Sequence, residues 1–568
     1  MLCAMLPVLP TLRAAFVYDD TTIIRDNPVL RGWGSLMHVW SSPYWSGDGG
    51  EALGLYRPVQ QALLAVLWNI GYGSALIFHV YAILLGALTS VAVWHLLRRG
   101  AGGLAALVGA VWFASHPLHV EAIASVANAS ELIVALSTIG LTLVLARRSS
   151  GATATRGKPA TRLLLVAVLA AVAIGAKESG LLALPLAVLT AWGWKKSFEG
   201  RTSLAAFIRE SSRESLAAIA GVTAVLLARL AVLGAPVSTS SIAAQGLSAS
   251  AGDRIVTMMS LWPRIARMLL VPSGLSPYYG PSIVPEDSGG LALLSLSVFI
   301  AVSGLALVIA RRGDARPLVA LGWIVLTYLP ASNILTATGQ LVSDRALFGA
   351  TIGVALAIAW AVDTIPPVGR RVAAVLIVLL ATRNIISGAH YAVAWTSHRT
   401  LWTRMIEEAP DEHLGYKLLG MDARARGDTT QAIRLLGRAF AMAPSDRQAR
   451  FELGQVQYAT GRYRAAVATL RPLMQNDDAR GERDFVSLYL DAVGRSSGPE
   501  AVIRAATPLI HSATAPTAEL FIGIAHEQMG NRVAAESAYV AGLRRSAGDS
   551  ALLARYLALH PEQMHHHH

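Results

Sequence analysis

Residues 75–99 read ALIFHVYAILLGALTSVAVWHLLRR, with no Asp, Glu, Lys or Arg before Arg98 and Arg99. That run exceeds the ~20 residues a helix needs to cross a bilayer at right angles. Further apolar runs lie near 1–15, 102–115, 120–146, 162–176, 180–194, 215–233, 290–311, 316–330, 345–363 and 372–388. They predict about 11 spans within residues 1–390, the shorter ones completed by their loops. The opening MLCAMLPVLPTLRAAF lacks a basic leading region and reads as a first span rather than a signal peptide.

Composition supports this class. The 568 residues are 54% hydrophobic and only 15% charged, whereas soluble proteins carry about a quarter charged residues. Their mean hydropathy is +0.47. The single cysteine, Cys3, excludes a disulfide framework and a Cys-based zinc or iron–sulfur site. Residues 401–564 hold 19 Lys/Arg and 19 Asp/Glu, so the net charge of +12 lies wholly in residues 1–400. It follows the apolar runs there, as orientation charge does, and argues against nucleic acid as a partner.

The basic clusters fall in alternate loops: Arg98 and Arg99; Arg147, Arg148, Arg156, Lys158 and Arg162; Lys195, Lys196, Arg201, Arg209 and Arg213; Arg311, Arg312 and Arg316; Arg370 and Arg371. The positive-inside rule predicts these loops, and the N-terminus, to be cytoplasmic. The C-terminal section and the long 16–58 and 234–289 loops then lie outside, and long loops commonly carry function.

Beyond a linker at 391–413, residues 414–562 repeat. Gly427, Gly461, Gly494 and Gly530 recur at spacings of 34, 33 and 36, followed by Ala432, Ala466, Ala501 and Ala535. A helix–turn–helix unit of about 34 residues is the tetratricopeptide pattern, and about four units are expected. Glycine would relieve crowding where two helices meet. The terminal His565–His568 run reads as a tag. The expected fold is all-α: a polytopic membrane helix bundle followed by a tetratricopeptide-repeat solenoid.

The outer loops collect the polar residues. Asp19 and Asp20 form an acid pair at a membrane boundary, where charge is costly and tends to mark function; one of them could act as a general base. Loop solvation or helix capping is the structural alternative. His116, His119 and Glu121, in HPLHVE, could bind a metal or orient an acceptor, but the histidines stand three apart rather than the four of a helical zinc motif. Lys177-Glu178 is either a mutually neutralised pair or an anion site. Asp344-Arg345 places a guanidinium, whose planar fork suits phosphate, at the start of a span. Arg57 and Arg229 are weaker anion candidates.

FVYDDTTIIRDNPVL, YRPV, FASHPLHVEAIASVANASELI, AKESGLLALP, LLVPSGLSPYY and YLPASN…SDRALF occur in this order ahead of the repeats. In this the chain resembles the transmembrane and tetratricopeptide-repeat O-mannosyltransferase family, polytopic glycosyltransferases of the GT-C class. The resemblance implies a polyprenyl-phosphate sugar donor, most often mannose, and a Ser or Thr acceptor on a polypeptide. It implies an active site facing the non-cytoplasmic side, with Asp19 or Asp20 as base and Glu121 as a second acid or acceptor-orienting group. Lys177 and Arg345 would hold the donor phosphate, and the reaction would invert the sugar. Two stretches depart from the family pattern: Tyr81 and Ala82 stand where an Asn and a His are usual, and Asp344-Arg345-Ala346-Leu347-Phe348 replaces a Glu-Arg-Tyr-like stretch. Scarce lysine and abundant alanine and arginine suggest a bacterial inner membrane, and membrane lipids are expected partners. The repeats would capture the acceptor chain. A non-catalytic scaffold and a lipid-linked-sugar transporter are the competing readings; the first needs no acid pair, and the second should place polar groups at mid-membrane.

Overall fold

The computed structural model describes residues 1–45, 54–146, 159–200, 202–234, 250–476 and 481–560. Arg147, Arg148, Arg156, Lys158, Arg201, the 235–249 part of the long loop and the tag-like His565–His568 lie outside the described residues. Among the described residues every regular element is a helix, and the chain divides into two units, Met1–Ala409 and Pro410–His568.

Seven helices of the first unit are long and apolar enough to cross a membrane: Ala75–Gly100, Val126–Ala146, Pro159–Ala176, Ser212–Leu233, Ser288–Arg311, Arg345–Thr364 and Pro367–Ala394. The other four expected runs are shorter elements. The first is one α-turn, Leu2–Met5, followed by the 3-10 helix Leu6–Arg13; Pro7 and Pro10 lack the N–H groups that an α-helix requires. Gly103–Ala114, Ala183–Glu199 and Arg316–Tyr328 are the remaining three. The 120–146 run is broken into His119–Ala124, a 3-10 turn Val126–Ala129 and Ser130–Ala146.

Two features depart from expectation. Pro58–Gly71, which follows the 16–58 loop and lies outside the expected apolar runs, is a helix with Pro58 at its first turn. The expected linker 391–413 is largely helical: Pro367–Ala394 runs into it and His398–Glu408 follows within the first unit.

Polar contacts gather the arginine-rich loops on one end of the bundle. Arg316 donates to Asp363 (2.7 Å) and to the Gly100 carbonyl (3.0 Å), while the Gly102 N–H donates to Asp363 (3.0 Å). Asp314 accepts from Ser197 (3.3 Å) and Trp360 (3.0 Å). Arg345 stands 18 residues before Asp363, about 27 Å along a helix, so it marks the opposite end.

The second unit pairs His413–Ala425 with Thr429–Met442, Arg447–Ala459 with Tyr463–Leu470, Arg483–Ser497 with Pro499–Ala506, and Ala515–Gln528 with Arg532–Arg545; Ser550–Leu559 closes the array. Gly427, Gly461 and Gly530 occupy left-handed turns (φ +80°, +73° and +76°) in open space, so backbone conformation rather than crowding requires them. The third turn uses Gly498 (φ +81°), whereas Gly494 is helical, and Ala501 is only half-buried. Crowding is relieved elsewhere: a Cβ on Gly454 or Gly523 would lie 2.6 Å from Leu470 or 2.2 Å from Tyr539.

Candidate active site

Tyr18 determines how the acid pair diverges. Its φ of +56° is left-handed, a conformation that costs a non-glycine residue about 1–3 kcal/mol and clusters at functional sites. It is held by its N–H donating to His398 Nε2 (3.1 Å), by Thr21 Oγ1 donating to its carbonyl (2.6 Å), and by an edge contact with Trp402.

Asp20 turns inward and is fully buried. It accepts from the N–H groups of Val126 (3.0 Å) and Ala127 (2.8 Å) and from Ser125 Oγ (3.3 Å). Two other side chains complete the break in the helix: Gln60 Nε2 donates to the Val126 carbonyl (3.2 Å) and Tyr44 OH to the Ala127 carbonyl (3.0 Å). Backbone groups freed at a break must find partners, and here the outer loop provides them. Burial pushes the Asp20 pKa up to about 7, against the opposing effect of its backbone donors.

Asp19 points the other way. It is half-buried and takes no hydrogen bond from any described residue. Desolvation raises its pKa, while Arg345, Arg57 and Lys177 act on it to lower it. Those interactions place Asp19 in one electrostatic site with three of the four predicted cations.

Each cation has a carboxylate partner. Glu121, 0% exposed, accepts from the Arg345 N–H (2.8 Å) and from its Nη1 (2.6 Å). Lys177 pairs with Glu131, in the first turn of Ser130–Ala146. Glu178 binds Arg57 at 2.7 Å and faces Arg229 at 3.7 Å, and the Arg57 guanidinium also lies over the Tyr44 ring. Of the two readings of Lys177-Glu178, the mutually neutralised pair is not formed: adjacent residues on an extended backbone point apart and find different partners. Asp344 and Arg345 diverge likewise, since Asp344 is fully buried and accepts from Tyr279 OH at 2.7 Å. Burial and the nearby Glu121 raise the Asp344 pKa well above the usual range.

The histidines belong to packing. His116 Nδ1 accepts from the Leu118 N–H (3.3 Å), so its Nε2 carries the proton donated to the Leu269 carbonyl (3.1 Å). Thr351 gives its only hydroxyl proton to the Phe348 carbonyl, so at 2.9 Å it accepts from His119 Nε2. Burial pushes the His116 pKa down to about 3 and that of His119 well below its usual value. Both ring nitrogens of His116 are thereby engaged, which leaves it no lone pair for a metal. Among the described residues no three His, Cys, Asp or Glu side chains converge as a metal site, which corrects the candidate trio His116, His119 and Glu121.

Sequence reading missed Glu131 and Tyr279 as partners. Glu131 carried a usable signal, an acid in the first turn of a span. Gly180 positions the Lys177–Glu178 segment, since a Cβ there would lie 2.2 Å from the Ala173 carbonyl group. Backbone cannot yield to it, so Gly180→Ala is expected to cost about 1–3 kcal/mol, read as an earlier thermal unfolding midpoint.

A tetratricopeptide-repeat family model matches residues 417–477. Over longer stretches the chain is similar to three named protein O-mannosyl-transferases. It is 21% identical to TMTC3 of Mus musculus over 485 residues, covering 81% of this chain and 52% of that protein. F38B6.6 of Caenorhabditis elegans is 22% identical, covering 62% and 49%. TMTC4 of Homo sapiens is 23% identical, covering 74% and 62%. The chain thus spans about half the length of the first two relatives.

Proposed function

We propose that this chain, a relative of the transmembrane and tetratricopeptide-repeat O-mannosyltransferases, is an integral membrane glycosyltransferase that moves mannose from a polyprenyl-phosphate donor to Ser or Thr of a polypeptide. The observation that carries the reading is the divergence of the acid pair. Asp20 is consumed by the helix break, and Asp19 is left desolvated, without a hydrogen bond, in the field of Arg345, Arg57 and Lys177.

In this reaction the acceptor oxygen attacks the anomeric carbon from the face opposite the phosphate. The bond from that carbon to the phosphate oxygen breaks, and polyprenyl phosphate leaves with the electron pair. Asp19 takes the hydroxyl proton, and the sugar inverts. Positive charge developing at the sugar ring resembles that in glycoside hydrolysis. Arg345, Lys177 and Arg57 stabilise the departing phosphate through preorganised donors. Glu178 holds Arg57 at 2.7 Å and faces Arg229 at 3.7 Å, which fixes the Arg57 guanidinium on this side of the site. Glu121 is a positioning residue that holds Arg345. The site lies at the end of the bundle opposite the arginine network, and the positive-inside rule assigns that end to the non-cytoplasmic side. The repeats present the acceptor.

The test is transfer of labelled mannose from polyprenyl-phosphate mannose to a Ser/Thr peptide by the full chain in lipid nanodiscs. No transfer from any polyprenyl-phosphate sugar would overturn the reading. The rate should also fall on acidification, as Asp19 protonates. Desolvation raises its pKa, so the acid limb should lie above the ordinary carboxylate value of about 3.9. A pH–rate profile flat down to that value would remove Asp19 as the base.

A further inference from the structure

A second basic cleft, lined by residues other than those of the transfer site, lies against the last span. It occupies about 490 Å³ between the last span, the 273–275 segment and the His398–Glu408 helix, and Arg383, Ser387, His390, Tyr391 and Arg404 line it. Arg383, Ser387 and His390 are spaced i, i+4 and i+7, so they stack on one face of Pro367–Ala394.

The charge there is unbalanced. Arg404 is neutralised by Glu408 (2.5 Å) and Glu407 (3.7 Å), although its Nε is buried without a partner. Among the described residues Arg383 donates only to Asn384 Oδ1, at 3.2 Å, and pairs with no carboxylate. It stands 11 residues, about 17 Å, before Ala394 in a helix long enough to span the membrane. An ionised side chain at that depth is costly and tends to mark a ligand or an ion path.

The surroundings indicate an amphiphile. Ile386, which lines the cleft, is 55% exposed, and Leu379 and Val393 on the same helix are 64% and 48% exposed. An apolar wall that faces lipid, ending in a guanidinium, a hydroxyl and an imidazole, suits acyl or prenyl chains below a phosphate. Basic pockets beside spans bind lipid head groups in this way, and the planar fork of arginine matches phosphate oxygens.

We propose that this cleft binds the phosphate head of an anionic membrane lipid, with Arg383 as the principal charge and His390 and Ser387 as further donors. This does not depend on the transfer chemistry. Tyr391 lines the cleft and also acts electrostatically with Asp344, the neighbour of Arg345, so an occupied cleft would adjoin the transfer site.

Native mass spectrometry of the full chain in detergent tests it, with phosphatidylglycerol, polyprenyl phosphate and uncharged diacylglycerol as probes. At least one phosphate lipid should bind in preference to diacylglycerol. Arg383→Gln should weaken that binding about tenfold, and His390→Gln should weaken it less. Arg371→Gln, at the other end of the same helix, should not. Preference for phosphatidylglycerol would assign the cleft to bulk anionic lipid, and preference for polyprenyl phosphate to a carrier lipid; either supports the proposal. Equal binding of diacylglycerol, or unchanged binding in both Arg383→Gln and His390→Gln at an unchanged unfolding temperature, would overturn it.

Discussion

Asp19→Asn should fold like the parent and lose about 10²–10⁴ of its transfer rate, the usual contribution of a general base. Asp19 accepts no hydrogen bond from any described residue, so the amide leaves no partner stranded. Asp20→Asn should behave oppositely. Its carboxylate accepts from the Val126 N–H, the Ala127 N–H and Ser125 Oγ, and an amide offers one acceptor oxygen in place of two. At least one buried N–H is then unpaired, at about 1–3 kcal/mol. The expected signature is a lowered unfolding temperature, with transfer reduced only as far as the folded fraction falls. Comparing the two variants in one labelled-donor assay, with unfolding followed in parallel, separates base from brace. If Asp20→Asn alone abolished transfer at full stability, the roles assigned to this pair would be exchanged.

That distinction was not legible in the sequence, because two adjacent aspartates are equivalent until the backbone between them is known. The left-handed Tyr18 sends one inward and leaves the other without a hydrogen bond, and such a φ at a tyrosine is enforced by distant partners, His398 and Trp402. The membrane class was legible, since an uninterrupted run such as 75–97 can bury its apolar side chains on all faces only within a core or a bilayer. The repeats were legible through period, although Gly494 stood in for Gly498 because the inserted residues displace the turn. The helix Pro58–Gly71 was not, because its 14 residues fall short of a span. The cations were recognised as a group, but their counterions were not. Lys177 and Arg345 each stand beside an acid in sequence, yet each pairs with an acid on another helix, Glu131 and Glu121. Sequence adjacency supplied the wrong partners because neighbouring side chains on extended backbone or at a helix start point in different directions.

The Glu121–Arg345 pair allows stability and chemistry to be separated by a double substitution. Glu121 is 1% exposed and Arg345 18% at their side chains, so removing either partner leaves an uncompensated buried charge. Breaking such a pair commonly costs about 3–5 kcal/mol. Glu121→Gln and Arg345→Met should therefore each lower the unfolding temperature sharply. Replacing both, as Glu121→Leu with Arg345→Met, removes the stranded charge along with the pair, and buried pairs exchanged for apolar residues are often neutral or more stable. The double variant should regain much of the lost stability; the Arg345 N–H, which then loses the Glu121 acceptor, keeps the recovery short of complete. Transfer should not return with it. The guanidinium that faces the departing phosphate is gone in both Arg345 variants, and loss of one such donor costs about 10²–10³ in rate. Glu121→Gln retains that guanidinium and should keep more activity per folded molecule than Arg345→Met. Recovery of transfer alongside stability in the double variant would show the pair to be only a brace between the His119–Ala124 helix and the Arg345 segment, and would move donor recognition to Lys177 and Arg57.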